Sequence, residues 1–371
     1  MTHTRSITEF RSNFDTSSLM FYFNNASKSP LPHTHQVLLN TYITLWNQGK
    51  HDPYYYNFTH TDLLKDELAI FLACDTNQIA LSLNVASGFA TIVHGYPWSK
   101  NNSVILLEDD YPSITQPFQS NPNIHIQWAR SSNGGLVPET LEEMITPNTV
   151  GVAIGWVHYQ TGYVNDIEKI SVVCKKHNIY LWVDATQALG VIPIHLKNLS
   201  IDFLTASLYK WCFCPPGIAV SIFSHQMMAD LQPLSAGVFS QFDRGIRSRP
   251  NRPSQGASRF EYGNPNVLGI LCAHETFRWF NTIGISAIYG HYTTLVCYFI
   301  AQLKRKGTPL AINYHEASMA SIVSFIHPSP EMFLQTLSKN GGQVTYRHGM
   351  IRVSPGIFHN THHIDRLLSF L

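Results

Sequence analysis

The sequence predicts an α/β fold built on a mainly parallel sheet. Three observations carry that expectation. Short, almost wholly apolar runs such as Val104–Glu108, Thr149–Trp156 and Tyr180–Asp184 recur between residues 77 and 223 and read as strands buried on both faces. Stretches with helical spacing separate them, the rhythm of crossover units. Two of the runs, Tyr180-Leu-Trp-Val-Asp184 and Asp202-Phe-Leu-Thr-Ala-Ser207, stop abruptly at polar residues. Ligands of open α/β sheets bind beyond the carboxyl ends of the strands, so Asp184, Gln187, Ser207, Tyr209 and Lys210 are expected to meet in one crevice.

Taken in order, residues 1–20 read as a polar arm, and Phe21-Tyr-Phe-Asn-Asn-Ala26 as a strand-like piece running into a proline turn. His35 to Asn47 has helical spacing. Tyr54-Tyr-Tyr56 is assigned to a polar loop, and Leu63 to Leu72 to a helix with Leu64, Leu68, Ile70 and Phe71 inward. Asn77–Asn84 is a strand that breaks at Val85-Ala-Ser-Gly88, where a helix starts. A small-residue turn into a helix offers free N–H groups and a positive dipole end to a phosphate, and Ser87 acting only as a cap is the plainer alternative. Ile124–Trp128 and Pro215–Phe223 supply further strands, and Pro138–Met144 and Asp166–His177 further helices. Residues 233–266, rich in Gly, Ser, Pro and Arg (Gly237, Arg244, Arg247, Arg249, Arg252), carry no periodicity and are expected to form an active-site loop at a domain junction. Beyond them come helices from Val267 and Ile285, strands Ser321–Phe325 and Met350–Ser354, and a closing helix from Thr361.

The 371 residues, 44% of them hydrophobic, suffice for a large core and ordinarily divide into two domains. A net charge of +1 gives no electrostatic ground for a nucleic-acid or membrane partner. Met1-Thr-His-Thr-Arg-Ser6 lacks the sections of a signal peptide and no apolar run has bilayer length, so a cytoplasmic location is expected. Six cysteines, only Cys212 and Cys214 close together, suit packed reduced thiols rather than a metal site. The 19 histidines are scattered and read as base composition or surface usage.

A lysine and a carboxylate delivered to one crevice suit pyridoxal 5'-phosphate: the amine holds the aldehyde as a Schiff base, and the acid keeps the pyridinium protonated so that the ring accepts electrons. Phe21–Ala26, Val183-Asp-Ala-Thr-Gln187, Ser207-Leu-Tyr-Lys-Trp211, Arg259-Phe-Glu-Tyr-Gly-Asn-Pro-Asn266 and Ile351-Arg-Val-Ser354 occur in an order that resembles the class V aminotransferase group of fold-type I pyridoxal phosphate enzymes, which includes cysteine desulfurases, kynureninase and epimerase-like proteins. The resemblance runs from Phe21 to Leu371. It implies a large domain (31–255) with a mainly parallel seven-stranded sheet between helices, a small α+β domain (256–371) entered by a long helix from about 267, and an arm (1–30) that serves the small domain and the site.

It also implies roles. Lys210 would carry the cofactor and act as acid and base at Cα, Asp184 would pair with the ring nitrogen, and Gln187 would donate to the phenolic oxygen, a buried structural amide being its alternative. Tyr111 would stack on the ring, and Ser87, Gly88, Ser207 and Tyr209 would hold the phosphate. Asn264, where the family more often has Thr, would reach the cofactor of the other subunit in a homodimer with its active site at the interface. Arg352 would clamp the substrate α-carboxylate, a task suited to a planar guanidinium. Asn25 and Ala26 would line the substrate pocket, and Trp156, His158 and Tyr159 end a strand on the same side.

The cofactor does not fix the reaction. No cysteine lies between Ala311 and Arg352 to take sulfur as a persulfide, which disfavours desulfuration of that kind. A lyase or aminotransferase acting on an α-amino acid with an aromatic or sulfur-containing side chain leads, ahead of an epimerase, a kynureninase-like hydrolase and a non-catalytic dimeric scaffold. No G-x-G-x-x-G follows a strand, which counts against a nicotinamide dehydrogenase.

Overall fold

The structure, a computed structural model, describes residues 6–50, 53–132, 134–242, 252–315 and 319–371, without the side chains of 53–55. Arg244, Arg247 and Arg249, and the first five residues of the arm, lie outside the described residues. Seven strands, β1 (Ile79–Ser82), β2 (Ser103–Leu107), β3 (His125–Ala129), β4 (Thr149–Gly155), β5 (Tyr180–Asp184), β6 (Phe203–Ser207) and β7 (Ala219–Phe223), form one sheet in the order β1-β7-β6-β5-β4-β2-β3. Pairing is parallel from β6 through β3, and β7 runs antiparallel to both its neighbours. Parallel neighbours need a crossover, whereas an antiparallel neighbour can follow a short connection. Residues 208–218 provide that connection, turning at Gly217 (φ +92°), and they carry Lys210.

Strand β5 shows why these runs are apolar without alternation. Leu181 and Val183 enter one core with the helices Pro53–Leu72, Ile167–Lys176 and Val267–Ile283, and Trp182 enters the other with Phe89, Phe118 and Phe203. Trp182 stacks on Phe118 at 5.4 Å. All three β5 side chains are fully buried, which contributes about 1.5–3 kcal/mol for each aliphatic one. The strand therefore cannot slip, and its C-terminal Asp184 is fixed.

Strands β8 (Val323–Phe325), β9 (Thr345–Arg347) and β10 (Met350–Val353) make a second, antiparallel sheet in the order β8-β10-β9. It packs on the helices Ile285–Arg305 and Thr361–Leu368 through Phe299, Phe325, Ile351 and Leu367. Val267–Ile283 and Ile285–Arg305 meet at 88°, with Gly284 (φ +84°) at the corner, and no single described helix is long and apolar enough to cross a membrane. Tyr22 and Asn24 bridge to Gln343 and Ser354, so the strand-like segment predicted at 21–26 pairs with this second sheet region.

Several expectations are corrected. Residues 7–11 of the supposed polar arm are helical, and Phe10 is driven inward against Phe14, Phe213 and Trp279. Tyr54–Tyr56 belong to the helix Pro53–Leu72, whose Pro53 takes the first position, where a missing N–H costs nothing. Ile70 of that helix points out, 69% exposed, while Leu64 and Leu68 are fully buried. His35, His158, His359 and His363 are buried rather than superficial. The helices Pro112–Gln119, His225–Asp230 and Pro330–Lys339 and strand β9 were not foreseen from the sequence.

Candidate active site

The carboxyl ends of β2, β4, β5 and β6 converge on a cavity of about 80 Å³ whose lining includes Tyr111, Tyr159, Asp184, Gln187, Ser207 and Lys210. Tyr209, Asp110, Thr186 and Asn84 line it as well. Lys210 is buried, and its side-chain amine makes no hydrogen bond or ion pair among the described residues. Burial pushes its amine down from 10.5 to about 8, against the opposing pull of Asp184, with the Arg352 charge adding a smaller push in the same direction. An amine of that kind is partly neutral near pH 8 and available as a nucleophile. Its Nζ lies 5.4 Å from the centre of the Tyr111 ring and 5.7 Å from that of Tyr209.

Asp184 accepts the Thr186 N–H at 2.8 Å on Oδ1. Burial raises its pKa, and the bonds from Thr186 and the Lys210 charge oppose the rise. Gln187 is pinned on both sides: its Nε2 donates to the Ala26 carbonyl (2.9 Å) and its Oε1 accepts from the Trp211 indole (2.8 Å). The second Nε2 hydrogen is what remains for a ligand, so the structural and ligand-facing readings of this residue hold together. The Ser207 N–H donates to Thr186 Oγ1 at 3.0 Å.

The helix Val85–Gly95 opens beside these groups. Asn84 is its cap, accepting the Ser87 N–H at 2.9 Å while Ser87 Oγ receives the Asn84 N–H at 3.1 Å. Ser87 thus completes the cap rather than forming it alone. Gly88 spends its N–H within the helix on the Asn84 carbonyl (3.1 Å), so the N–H groups of Val85 and Ala86 are the unpaired ones. The glycine is needed for a different reason: a Cβ there would sit 2.7 Å from Thr205 Oγ1 and 3.1 Å from Ser221 Oγ, holding the helix off the sheet.

Asp110 was not singled out in the sequence. It is buried between β2 and β4, accepting the Tyr111 and Gly155 N–H groups at 2.7 Å each. Burial lifts its carboxyl to about 7, the two backbone bonds oppose that, and Asp184 nearby adds to it. By this route it fixes Tyr111 against the β4 terminus.

Arg352 is 4% exposed, and its guanidinium meets only neutral groups: Nη1 donates to the Tyr159 carbonyl (2.5 Å), and Nη2 to Ser27 Oγ (2.7 Å) and Thr345 Oγ1 (3.0 Å). Nε has no partner. Burial first, then the Arg347 charge, lowers its pKa to about 10. No carboxylate among the described residues lies within ion-pair distance. Asn25 and Ala26 are not among the residues lining the cavity: Asn25 Nδ2 donates to the Ser354 carbonyl (3.0 Å), and the Ala26 N–H to Ser354 Oγ (3.0 Å). His158 also stands outside the lining. Its Nδ1 meets Thr161 Oγ1 at 2.9 Å and its Nε2 the Asp109 carbonyl at 3.0 Å, so both ring nitrogens are occupied and Tyr159 takes the cavity position. Asn264 is exposed and lines a neighbouring cavity of about 330 Å³ together with Ser87.

A buried unpaired amine, a carboxylate one strand away, a flat ring beside the amine and open helix N–H groups fit pyridoxal 5'-phosphate. This architecture and this residue set define a fold-type I pyridoxal phosphate enzyme. The chain belongs to the class V aminotransferase family, whose model matches residues 22–364. It is similar to an uncharacterized aminotransferase, YcbU, of Bacillus subtilis (26% identical over 68% of this chain and 67% of that protein) and to a probable cysteine desulfurase of Borreliella burgdorferi (28%, over 67% and 61%). The matched stretches thus span about two thirds of those relatives' length. Among solved structures, a mutant of C-DES with glycine covalently linked to its pyridoxal phosphate superposes with a TM-score of 0.89 at 20% identity, over 97% of this chain and 98% of that one. The apo cysteine desulfurase of Thermococcus onnurineus gives 0.88 at 19%, over 100% and 98%.

When bound, the cofactor supplies an electron sink for charge released at the substrate's Cα. Lys210 and Asp184 would hold its aldehyde carbon and ring nitrogen, and the Val85 and Ala86 N–H groups, with Ser207 and Tyr209, its phosphate. Lys210 would then be placed to move a proton at Cα, and Tyr111, 5.4 Å from its Nζ, would limit access beside it.

Proposed function

We propose that this enzyme acts at Cα of an α-amino acid, as a lyase cleaving a C–S or C–C bond of the side chain or as an aminotransferase. The observation that carries the reading is the buried Arg352, charged and without an acid partner among the described residues, close enough to Lys210 to depress its pKa. A substrate α-carboxylate is the partner that such a guanidinium lacks. Persulfide-forming desulfuration ranks lower, because none of the six cysteines lines the cavity. Burial holds the Cys74 thiol at about 11 and Cys174 and Cys272 at about 12, far from thiolate at neutral pH. We also propose a homodimer in which Asn264, exposed at the rim shared with Ser87, serves the partner's phosphate site. Incubating the cofactor-loaded protein with an amino-acid panel and identifying keto acids, ammonia and cleavage fragments by mass spectrometry tests the reading. Turnover of none of them, under conditions where the cofactor is bound, would defeat it.

A further inference from the structure

A second arginine stands on the same face of the same hairpin as Arg352. In the β9–β10 pairing, Arg347 lies opposite Met350, and Arg352 opposite Thr345. Opposed residues share a face, and so do residues two apart along one strand, so Arg347 and Arg352 are diagonal neighbours on one face, with backbones roughly 7–8 Å apart. The turn between the strands, His348 (φ +52°) and Gly349 (φ +75°), is the tight two-residue kind that positive φ permits, and it sets Arg347 at the outer end.

Both arginines engage Tyr159, which lines the active-site cavity. Arg352 holds its carbonyl from within, and the Arg347 guanidinium lies 5.9 Å over its ring from outside. The same ring packs edge-on against Tyr111 at 5.2 Å. A line of groups therefore leads from Lys210 past Tyr111 and Tyr159 to Arg347. Arg347 is exposed and has no carboxylate within ion-pair distance among the described residues. Asp109 turns to His158, with its carboxylate 3.9 Å from Nε2. Two like charges side by side on one sheet face work against folding, and among the described residues no acid relieves them.

We propose that the substrate is an α-amino acid whose side chain ends in a second anionic group, with Arg352 taking the α-carboxylate and Arg347 the distal one. This rests on the reading of the enzyme as acting on α-amino acids. An exposed guanidinium at the mouth reaches the end of a side chain, not its Cα, so it discriminates between substrates without touching the reacting atoms. Its charge-assisted bond gives a preference on the order of tenfold to a hundredfold over a neutral isostere.

The test uses cofactor-loaded protein and the visible absorbance of the bound cofactor to measure apparent Kd for matched pairs: L-glutamate against L-glutamine, L-2-aminoadipate against L-norleucine, and S-carboxymethyl-L-cysteine against S-carbamoylmethyl-L-cysteine. At least one acidic member should bind about tenfold or more tightly than its neutral twin, and added salt should shrink the ratio because Arg347 is exposed. Arg347→Ala should bring the ratio toward one, and Arg347→Lys should keep part of it. Equal affinities in the unaltered enzyme, or a ratio that survives Arg347→Ala, would overturn the proposal while leaving the amino-acid reading intact. Failure of every amino acid to change the spectrum would remove both.

Discussion

Replacing Arg352 with Met separates its roles in folding and binding. Burial and neighbouring charge lower its pKa from 12.5 to about 10. At about 1.4 kcal/mol per unit, the folded state carries this cation at a cost on the order of 3 kcal/mol. Met keeps most of the apolar stem. Ser27 Oγ and Thr345 Oγ1 are already hydrogen-bonded at 3.3 Å and keep that bond without the guanidinium, and Thr345 Oγ1 donates to Asn24. The Tyr159 carbonyl loses its donor, a penalty of about 1–3 kcal/mol. The balance runs from near zero to about 2 kcal/mol in favour of the variant. With roughly 2.1 cal/mol/K of unfolding entropy per residue over 371 residues, that is a Tm rise of at most about 3 °C. Binding moves the other way: the lost clamp should raise KM about a hundredfold or more, while the cofactor's absorbance stays. Differential scanning calorimetry and steady-state kinetics on one preparation read both. A Tm drop beyond about 5 °C with KM little changed would show that Arg352 is a structural pin, and the receptor argument would fail.

Other outcomes follow from the same structure. In cofactor-free protein the folded pKa of Lys210, about 8, lies below its ordinary 10.5, so between those values the unfolded chain binds more protons and stability rises with pH. Lys210→Met should abolish that rise, which is worth about 3 kcal/mol at most and is read as Tm across pH 7.5–10; an identical profile in the variant would refute it. Borohydride treatment of the cofactor-loaded protein should modify Lys210 as seen by peptide mass mapping, and modification elsewhere would move the attachment point. Lys65 and Glu261 form a buried ion pair at 2.9 Å, so Lys65→Met alone should cost about 3–5 kcal/mol. Adding Glu261→Leu should recover only part, because the Leu81 N–H then loses its acceptor; a single-variant loss under 1 kcal/mol in urea unfolding contradicts this. Gly88→Ala gains about 1 kcal/mol of helix propensity and loses about 1–3 kcal/mol to overpacking on Thr205. Weaker cofactor affinity should accompany its lower Tm, and unchanged affinity would detach this helix from the site.

The central strands were legible because burial on both faces leaves one reading for their composition, as in Val152–Ile154 or Leu181–Val183. Strand β9 was not: Tyr346 and Arg347 are exposed, and three residues give no period to detect. The helices at Pro112 and Pro330 both begin with proline in the first turn, a start signal overlooked because each follows a strand directly. Among site residues, Asp184, Gln187, Tyr111, Ser207, Tyr209 and Lys210 do line one cavity, since strand ends dictate where they emerge. Asp110 was hidden in Glu108-Asp109-Asp110, an acidic run that reads as a solvated strand end until the fold folds one member under Gly155. Of His158 and Tyr159, only Tyr159 lines the cavity, because the direction of a loop side chain follows from local bonds, here those of His158 to Thr161 and Asp109, which spacing does not reveal.

Ala26, Ser27 and Ser29 are hydrogen-bonded to Gln187, Arg352 and Tyr209, and Asn25 is tied to Ser354. Asn25 and Ser27 thus wait for residues 329 and 325 positions further along the chain before these hydrogen bonds exist. A nascent chain halted before position 345 could form the central sheet with Lys210 in place, yet residues 25–27 would keep the Ala26 carbonyl bond to Gln187 and lack those to Arg352 and Ser354. Vitamin capture by such a truncated intermediate should be loose and reversible, and tight retention would report that synthesis of the second sheet had finished.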